Sequence, residues 1–258
     1  MTATADAPRW IDLEGAVNAR AVVPGRLLRS DNLQDLTPAD VAHLIEDHGL
    51  TAVIDLRTGA EVRLEGPGPL TRDDRVAIEH RSLYPEAGEH TDAIEADTII
   101  PWQNGDRGAE LPGEPPTVRA YWGYLEHRPD SIVASLRTIA DPAGGGAALV
   151  HCAAGKDRTG LVVALAMEVA GFGREAVVAD YARTSERIEG IVNRLASSPT
   201  YAQDMQTGDP YHHAARPESM ARVLELLDER FGGPEGWLAE HGFGAGEAAA
   251  LRGRLTVS

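Results

Sequence analysis

Short apolar runs alternate with longer amphipathic segments along this chain, and the alternation predicts strands connected by helices. Residues 51–54 and 147–150 are brief apolar runs, which is typical of buried strands. Residues 75–82 alternate between apolar and polar side chains, which also predicts a strand. Residues 23–30 indicate a Pro-Gly turn followed by a short strand. The pattern predicts an α/β fold, in the form of a three-layer α/β/α domain with a mostly parallel central sheet.

Capping signals and apolar spacing place the helices. Thr37 is a predicted N-cap with Pro38 at the first helical position, and Thr58 forms a capping-box pair with Glu61 that starts a short helix. Elsewhere apolar residues recur three and four positions apart, which indicates helices with one buried face. The predicted helices cover residues 38–48, 117–127, 131–140, 158–171, 174–184, 217–231, 234–241 and 245–254.

A single domain is expected, because 258 residues supply enough apolar material for one core. We predict this domain over residues 1–258, with a loose N-terminal end at residues 1–10 and a helical C-terminal part at residues 185–258. Residues 84–116 lack periodicity and are rich in Pro, Gly, Glu and Asp, which predicts an irregular insertion. Its apolar residues and its position after a strand predict a cover near the active site.

The net charge is strongly negative, at −16 from 40 acidic and 24 basic residues. We therefore expect neither a nucleic-acid partner nor stable membrane association, because both partners are anionic. Residues 161–167, the longest apolar run, are too few to span a bilayer. Residues 1–10 carry no apolar segment typical of a signal peptide. A cytoplasmic location is expected, with export by a route that needs no such signal as the alternative.

The chain has one cysteine, Cys152, which excludes an intramolecular disulfide and a site with several cysteine ligands. The histidine pairs His212/His213 and His43/His48 lack companion ligands at a recognisable spacing. We therefore predict no metal and no cofactor. The oligomeric state is left open.

The clearest chemical signal is the loop at residues 149–160, which reads LVHCAAGKDRTG. A predicted strand leads into small residues, and a predicted helix begins near Arg158. Backbone N–H groups of such a turn converge, and a helix N-terminus adds partial positive charge, so the loop predicts an anion site. A thiolate at Cys152, favoured by these positive groups, can attack a bound phosphoryl group. Arg158 can grip two phosphoryl oxygens.

The segment HCAAGKDRTG resembles the Cys-x5-Arg loop of cysteine-dependent phosphatases, and its ending is similar to that of the bacterial tyrosine/serine protein phosphatase family. Further segments that resemble this family are Asn18-x-Arg20, residues 23–30, Asp55-Leu56-Arg57 with Glu61, and Asp180-Tyr181. The resemblance implies a phosphotyrosine-phosphatase-like fold and metal-independent hydrolysis through a phosphocysteine intermediate. It implies a phosphotyrosine protein as substrate, with phosphoserine, phosphothreonine or a phosphoinositide as further possibilities.

Each loop residue has an expected role in this chemistry. Cys152 is the nucleophile, Arg158 binds phosphoryl oxygens, and Thr159 donates a hydrogen bond to the Cys152 sulfur. His151 orients the loop. The backbone N–H groups of residues 153–158 bind the phosphoryl oxygens, so the expected substrate-binding residues are Ala153, Ala154, Gly155, Lys156 and Thr159.

The general acid is implied by the resemblance, which favours Asp157 inside the loop. The alternative interpretation of Asp157 is a structural carboxylate that pairs with an arginine, and Asp55 is the second candidate acid. Arg57 and Glu61 are interpreted as a structural ion pair, with Asp55 or Arg57 at the rim of the phosphate site as the alternative. Lys156 adds a second positive charge, which suits substrates with several phosphates, or else faces solvent.

Other function classes fit the loop less well. A nucleotide-binding P-loop is excluded, because Val150 and Asp157 stand where that motif needs Gly and Ser or Thr. A sulfur-transfer enzyme is disfavoured by the spacing of Arg158. Two alternatives stay. One is a pseudophosphatase that binds phosphate, and the other is a phosphatase whose substrate is a small phosphate ester, such as a phosphorylated metabolite.

Overall fold

The central sheet lies between the two largest apolar clusters of the described residues. The structure is a computed structural model and describes residues 9–84, 111–202, 205 and 209–256. The strands of this part of the chain are β1 (Arg9–Trp10), β2 (Arg20–Val23), β3 (Leu27–Ser30), β4 (Leu50–Asp55), β5 (Ala77–His80) and β6 (Ala147–His151). Their order in the sheet is β1-β2-β3-β6-β4-β5. The pairs β3/β6, β6/β4 and β4/β5 are parallel, whereas β1/β2 and β2/β3 are antiparallel.

Helices cover both faces of this sheet. The described helices are α1 (Pro38–Glu46), α2 (Gly59–Glu65), α3 (Pro116–His127), α4 (Pro129–Ala140), α5 (Asp157–Ala170), α6 (Arg174–Ala182), α7 (Ile188–Ser197), α8 (Pro217–Phe231), α9 (Pro234–Glu240) and α10 (Ala245–Leu255). Short 3-10 turns lie at Pro69–Arg72, Ala143–Gly145, Arg183–Arg187 and Pro210–His213. No helix of the described residues is long and apolar enough to cross a membrane.

The alternation of side chains along β6 explains the three layers. Ala148 and Val150 point into the larger cluster, which α3, α4, α5, α8, α9 and α10 cover. Ala147 and Leu149 point into the smaller cluster on the α1 side. Because successive residues of a strand face opposite sides, one short apolar run builds two cores. The predicted α/β fold with a mostly parallel central sheet is therefore confirmed.

Local capping chemistry explains why α1 and α2 begin where they do. The Thr37 hydroxyl accepts a hydrogen bond from the Asp40 backbone N–H, and the Asp40 carboxylate accepts one from the Thr37 backbone N–H. Thr58 and Glu61 form the same reciprocal pair at α2. Both arrangements satisfy backbone groups that a helix start otherwise leaves unpaired. The predicted starts are confirmed.

Four elements differ from the predictions. The N-terminal end is not loose throughout, because Arg9 and Trp10 form β1 against β2. The strand β2 and the helix α7 were not predicted, and the strand expected over residues 75–82 shortens to β5. Residues 1–8 and 85–110 lie outside the described residues, so the predicted cover over residues 84–116 is described only at its two ends.

Candidate active site

The site is built on the loop between β6 and α5. Cys152 follows the strand directly, and α5 begins at Asp157. The Cys152 side chain is buried within the larger apolar cluster. The start of α5 directs its partial positive charge at the loop, as expected for an anion site.

Three successive carbonyl groups of the loop, those of residues 153–155, are held by groups of the β2–β3 region. The Asn32 backbone N–H donates to the first carbonyl at 3.0 Å. Asn18 Nδ2 donates to the second at 3.0 Å, and an Arg29 guanidinium N–H donates to the third at 2.7 Å. Because a trans peptide unit points its C=O and N–H in opposite directions, the N–H groups of residues 154–156 face the other way. This orientation is the one that the predicted anion cradle requires.

Gly155 is required for this turn of the loop. Its φ angle is +65°, and a Cβ placed on it would lie 2.4 Å from the Ser30 carbonyl oxygen. A side chain would therefore push the loop away from β3, in addition to the strain of a left-handed backbone.

One buried acidic residue holds the arginines that support the loop. Asp180, on α6, accepts hydrogen bonds from Arg20 Nε at 3.0 Å and from Arg29 at 2.5 Å. Burial opposes its ionisation, yet the charges of Arg29 and Arg20 keep the pKa of Asp180 below its usual range. Arg20 in turn donates to Asn18 Oδ1 at 2.7 Å. Asn18, Arg20, Arg29 and Asp180 stood in segments that resemble the family, but the sequence alone gave them no role.

Arg158, the arginine expected to bind phosphoryl oxygens, is held by Glu61. Two guanidinium N–H groups donate to the two carboxylate oxygens of Glu61 at 2.6 and 2.9 Å. Both side chains are buried. Burial opposes the charged form of Arg158, yet the Glu61 carboxylate raises the pKa of Arg158 well above its usual range. The Tyr201 hydroxyl also donates to Glu61.

The expected pair between Arg57 and Glu61 is wrong, because Arg57 pairs with Asp55 instead. Arg57 Nε lies 2.9 Å from Asp55 Oδ1, and another guanidinium nitrogen lies 2.6 Å from Oδ2. Burial opposes ionisation of Asp55, but the His151 imidazole, which is charged at the low pH where Asp55 titrates, and the Arg57 guanidinium hold the pKa of Asp55 below its usual range. A carboxylate held ionised in this way is poorly suited to donate a proton. The geometry therefore favours a structural role for Asp55 and Arg57 over a role at the rim.

His151 is buried between this pair and the loop. Its Nε2 lies 3.6 Å from Asp55 Oδ1, and its Nδ1 lies 3.3 Å from the Cys152 carbonyl oxygen. Burial lowers the pKa of His151 to about 4, even though Asp55 favours its charged form. The imidazole is therefore neutral at pH 7 and contacts the backbone of the loop, consistent with the expected orienting role.

Asp157 lies at the first position of α5 and lines a cavity beside the loop. Its Oδ1 accepts a hydrogen bond from the Tyr121 hydroxyl at 2.6 Å, and its Oδ2 lies 3.7 Å from Lys156 Nζ. Within the described residues its charged neighbour is this lysine, so the alternative of a structural pair with an arginine finds no support. The carboxylate is 17% exposed, which leaves it accessible from the cavity.

The side chains of Lys156 and Thr159 differ from the expectations. Lys156 Nζ donates to the His213 carbonyl oxygen at 2.8 Å, which ties the loop to the 3-10 turn at Pro210–His213. Thr159 is buried, and its Oγ1 has no hydrogen-bond partner among the described residues. The expected hydrogen bond from Thr159 to the Cys152 sulfur is therefore not formed here. Among the described residues, no three His, Cys, Asp or Glu side chains are grouped as metal ligands.

The cavity beside the loop has a volume of about 460 Å³. The loop contributes Ala154, Lys156 and Asp157 to its lining. Its walls are aromatic and aliphatic, and they include Tyr84, Tyr121 and Tyr124 on one side and Ile188, Ile191, Val192 and Leu195 of α7 on the other. Helix α7, which was not predicted, thus forms one wall.

Comparisons with known proteins show the family of this chain. The tyrosine phosphatase family matches residues 12–257. The triple specificity protein phosphatase PtpB of Mycobacterium tuberculosis is 28% identical over an alignment 269 positions long with its gaps, which covers 95% of this chain and 96% of that protein. A tyrosine-protein phosphatase of Nostoc commune is 30% identical over 254 residues, which cover 96% of this chain and 80% of that protein.

Among solved structures, the core catalytic domain of the PP-IP phosphatase SIW14 from S. cerevisiae, in complex with citrate, is similar at a TM-score of 0.37. That similarity has 14% sequence identity and covers 85% of this chain and 96% of that domain.

Substitution of Gly155 tests the loop. Both Gly155→Ala and Gly25→Ala place a Cβ at positive φ, at 65° and 67°, but no described atom lies within 4 Å of the Cβ at Gly25. We expect Gly25→Ala to lower the free energy of unfolding by about 1–2 kcal/mol and to leave binding of inorganic phosphate unchanged. Gly155→Ala should lower stability further and abolish phosphate binding in calorimetric titration. Equal phosphate affinity in both variants would contradict this account of the loop.

His151 should make stability depend on pH. The folded imidazole binds a proton only near its pKa of about 4, whereas the unfolded one does so near 6.5. Between these values the unfolded chain binds more protons, so stability falls as pH falls from 6.5 to 4, by up to about 3 kcal/mol. Urea unfolding of the parent and of His151→Gln at a series of pH values measures this. The difference between the two proteins should depend on pH in that window, and a constant difference would refute the assignment.

Proposed function

This chain belongs to the tyrosine phosphatase family, and we propose that it hydrolyses phosphomonoesters through a phosphocysteine formed on Cys152. It is a cysteine-dependent phosphatase of the protein-tyrosine-phosphatase type. The observation that supports the residue assignment is the loop itself, in which the N–H groups of residues 154–156 face away from β3 and the guanidinium of Arg158, held by Glu61, interacts electrostatically with Cys152.

In the first step the Cys152 thiolate attacks phosphorus and the bond between phosphorus and the leaving oxygen breaks. Asp157 gives its proton to that oxygen. In the second step a water molecule attacks phosphorus, the bond between phosphorus and sulfur breaks, and Asp157 takes up the water proton. The thiolate and the protonated acid are thereby restored, and neither step needs a metal ion or a cofactor.

Arg158 and the loop N–H groups supply the positive groups that the transition state needs. The two-point contact with Glu61 limits rotation of the guanidinium, so less order is lost when it binds phosphoryl oxygens. The N–H groups of residues 154–156 are held in place by Asn18, Asn32 and Arg29 before substrate arrives. Donors that are already oriented toward developing charge lower the barrier without reorganisation.

The substrate we propose is phosphotyrosine in a protein. The cavity beside the loop has aromatic and aliphatic walls, and its volume of about 460 Å³ is ample for a phenyl ring. A phosphoinositide is the second candidate, supported by the ammonium group of Lys156 in the same cavity and by a relative named as triple specificity. A cytoplasmic location stays a prediction of the sequence.

Hydrolysis of p-nitrophenyl phosphate in excess chelator tests the mechanism. We expect activity in the intact, reduced protein and none in Cys152→Ser, because the serine hydroxyl is a much weaker nucleophile at neutral pH. Asp157→Asn should lower kcat by about 10²–10⁴-fold. An inactive parent that still binds phosphate would indicate a pseudophosphatase, and an active Cys152→Ser would show that the nucleophile is wrongly assigned.

A substrate panel tests the proposed class. Hydrolysis of a phosphotyrosine peptide should exceed that of the matched phosphoserine peptide by at least about tenfold in kcat/KM, because only the aryl group fills the apolar cavity. Val192→Asp, which places a charge in one wall of that cavity, should reduce this preference. A phosphoinositide or a small sugar phosphate that is hydrolysed faster than the phosphotyrosine peptide would contradict the proposed substrate.

A further inference from the structure

We propose that Tyr121 is a positioning residue, which holds Asp157 through a hydrogen bond to Oδ1 and keeps the transferable proton on Oδ2. The inference rests on the proposed function, in which Asp157 is the general acid. It concerns a residue of α3, which is separate in sequence from the loop and was not part of the expected site.

The direction of the hydrogen bonds follows from the chemistry of the groups. An ionised carboxylate can only accept, so the Tyr121 hydroxyl donates its single proton to Asp157 Oδ1, at 2.6 Å. The Tyr181 hydroxyl lies 2.7 Å from the Tyr121 oxygen and must therefore donate to it. The result is a chain of donors from Tyr181 on α6 through Tyr121 on α3 to Asp157 on α5.

The same direction is favoured when Asp157 is protonated. A proton on Oδ1 would have to be donated to Tyr121, which would reverse the chain and require a new acceptor for the Tyr181 proton. Among the described contacts the hydroxyl of Tyr181 has no partner except Tyr121. The proton of the acid is therefore placed on Oδ2, the oxygen that Tyr121 does not contact.

Burial makes this chain a stable donor. Tyr121 and Tyr181 are each 1% exposed. Burial and the negative charge of Asp157 raise the pKa of Tyr121 well above its usual range, and the same two causes raise the pKa of Tyr181. Both phenols keep their protons at every pH at which the enzyme is expected to work.

Without Tyr121, little would hold the carboxylate in one orientation. Its other described neighbour is the Lys156 ammonium group, 3.7 Å from Oδ2, which attracts the oxygen that must face the leaving group. Asp157 also stands in the first turn of α5, where unpaired backbone N–H groups compete for a carboxylate. A small rotation of the Asp157 carboxylate toward Lys156 or toward these N–H groups would place it out of reach of the leaving oxygen, because proton transfer needs hydrogen-bond distance.

Tyr124 provides a matched control on the same helix. It is one turn beyond Tyr121, and the two rings are stacked with centroids 6.2 Å apart. Its hydroxyl pairs with the Tyr84 hydroxyl at 2.9 Å. A Tyr124→Phe variant therefore removes a buried phenol from the same cavity wall while the hydrogen bond to Asp157 stays.

The test compares leaving groups that differ in their need for a proton. Phenyl phosphate releases a poor leaving group that needs an acid, whereas 2,4-dinitrophenyl phosphate releases one that does not. We expect Tyr121→Phe to lower kcat/KM for phenyl phosphate by about 10- to 100-fold and to change that for 2,4-dinitrophenyl phosphate by less than about threefold. Tyr124→Phe should change kcat/KM for both substrates by the same factor. Tyr181→Phe should lower kcat/KM for phenyl phosphate selectively, as Tyr121→Phe does, but by less.

A double-mutant cycle with Asp157→Asn separates the possible failures. The cycle follows the ratio of kcat/KM for phenyl phosphate to kcat/KM for 2,4-dinitrophenyl phosphate. If Tyr121 acts through Asp157, Tyr121→Phe should not change this ratio further in the Asp157→Asn background. A full effect in that background, or equal losses on both substrates in Tyr121→Phe, would overturn the proposal while the phosphatase function stands. An unchanged ratio in Asp157→Asn alone would remove Asp157 as the acid, and an inactive parent would refute the proposed function itself. Thermal unfolding of each variant checks that it is folded.

Discussion

The interaction on which the site depends most is the buried contact of Asp180 with two arginines of the sheet. Asp180 joins α6 to β2 through Arg20 and to β3 through Arg29, and Arg29 also binds a loop carbonyl. A buried ion pair of this kind is stable only when close contacts and further hydrogen bonds offset the loss of hydration. Loss of the Asp180 carboxylate would leave the buried guanidinium groups of Arg20 and Arg29 without this counter-charge, and Arg29 supports the loop. The shape of the anion cradle is thus coupled to packing between distant elements.

Three carboxylates around the loop are directed to different tasks by their partners. Glu61 and Asp55 are each buried against a guanidinium group, and the pKa of each is held below its usual range despite burial. Asp157 instead meets a tyrosine hydroxyl and is partly exposed to the cavity. Its charged neighbour among the described residues is Lys156, 3.7 Å away, and not an arginine in two-point contact, so the carboxylate can reach a substrate in the cavity. These contacts support the proposal that Asp157, and not Asp55, is the general acid.

The overall charge of −16 also shapes how a substrate is bound. Negative potential over the surface repels phosphate esters at long range, so binding must rely on short-range contacts. The loop N–H groups, the start of α5 and Arg158 supply these contacts for the phosphoryl group. The apolar walls from α3 and α7 supply them for the rest of the substrate. Selectivity should therefore come from the walls, since the loop contacts are common to every phosphate monoester.

Much of the fold and the centre of the site could be predicted from the sequence, because both are encoded by local spacing. The alternation along residues 147–150, the capping boxes at Thr37 and Thr58, and the Cys-x5-Arg loop each depend on residues close together in the chain. The short strands β1 and β2 and the helix α7 carried weak local signals. The two strands depend on pairing with the next strand of the sheet, and α7 depends on packing against residues of the loop.

The partners of the charged groups were decided only by the tertiary structure. Glu61 lies 97 residues from Arg158, and Asp180 lies 160 residues from Arg20. The sequence placed Glu61 with Arg57, which is near in the chain, whereas the fold brings it to Arg158. Residue type states that a buried acid needs a cation or a hydrogen-bond donor, but many residues of the chain qualify. Which one it meets depends on distance and burial, because electrostatic energy rises steeply as charges approach and leave water.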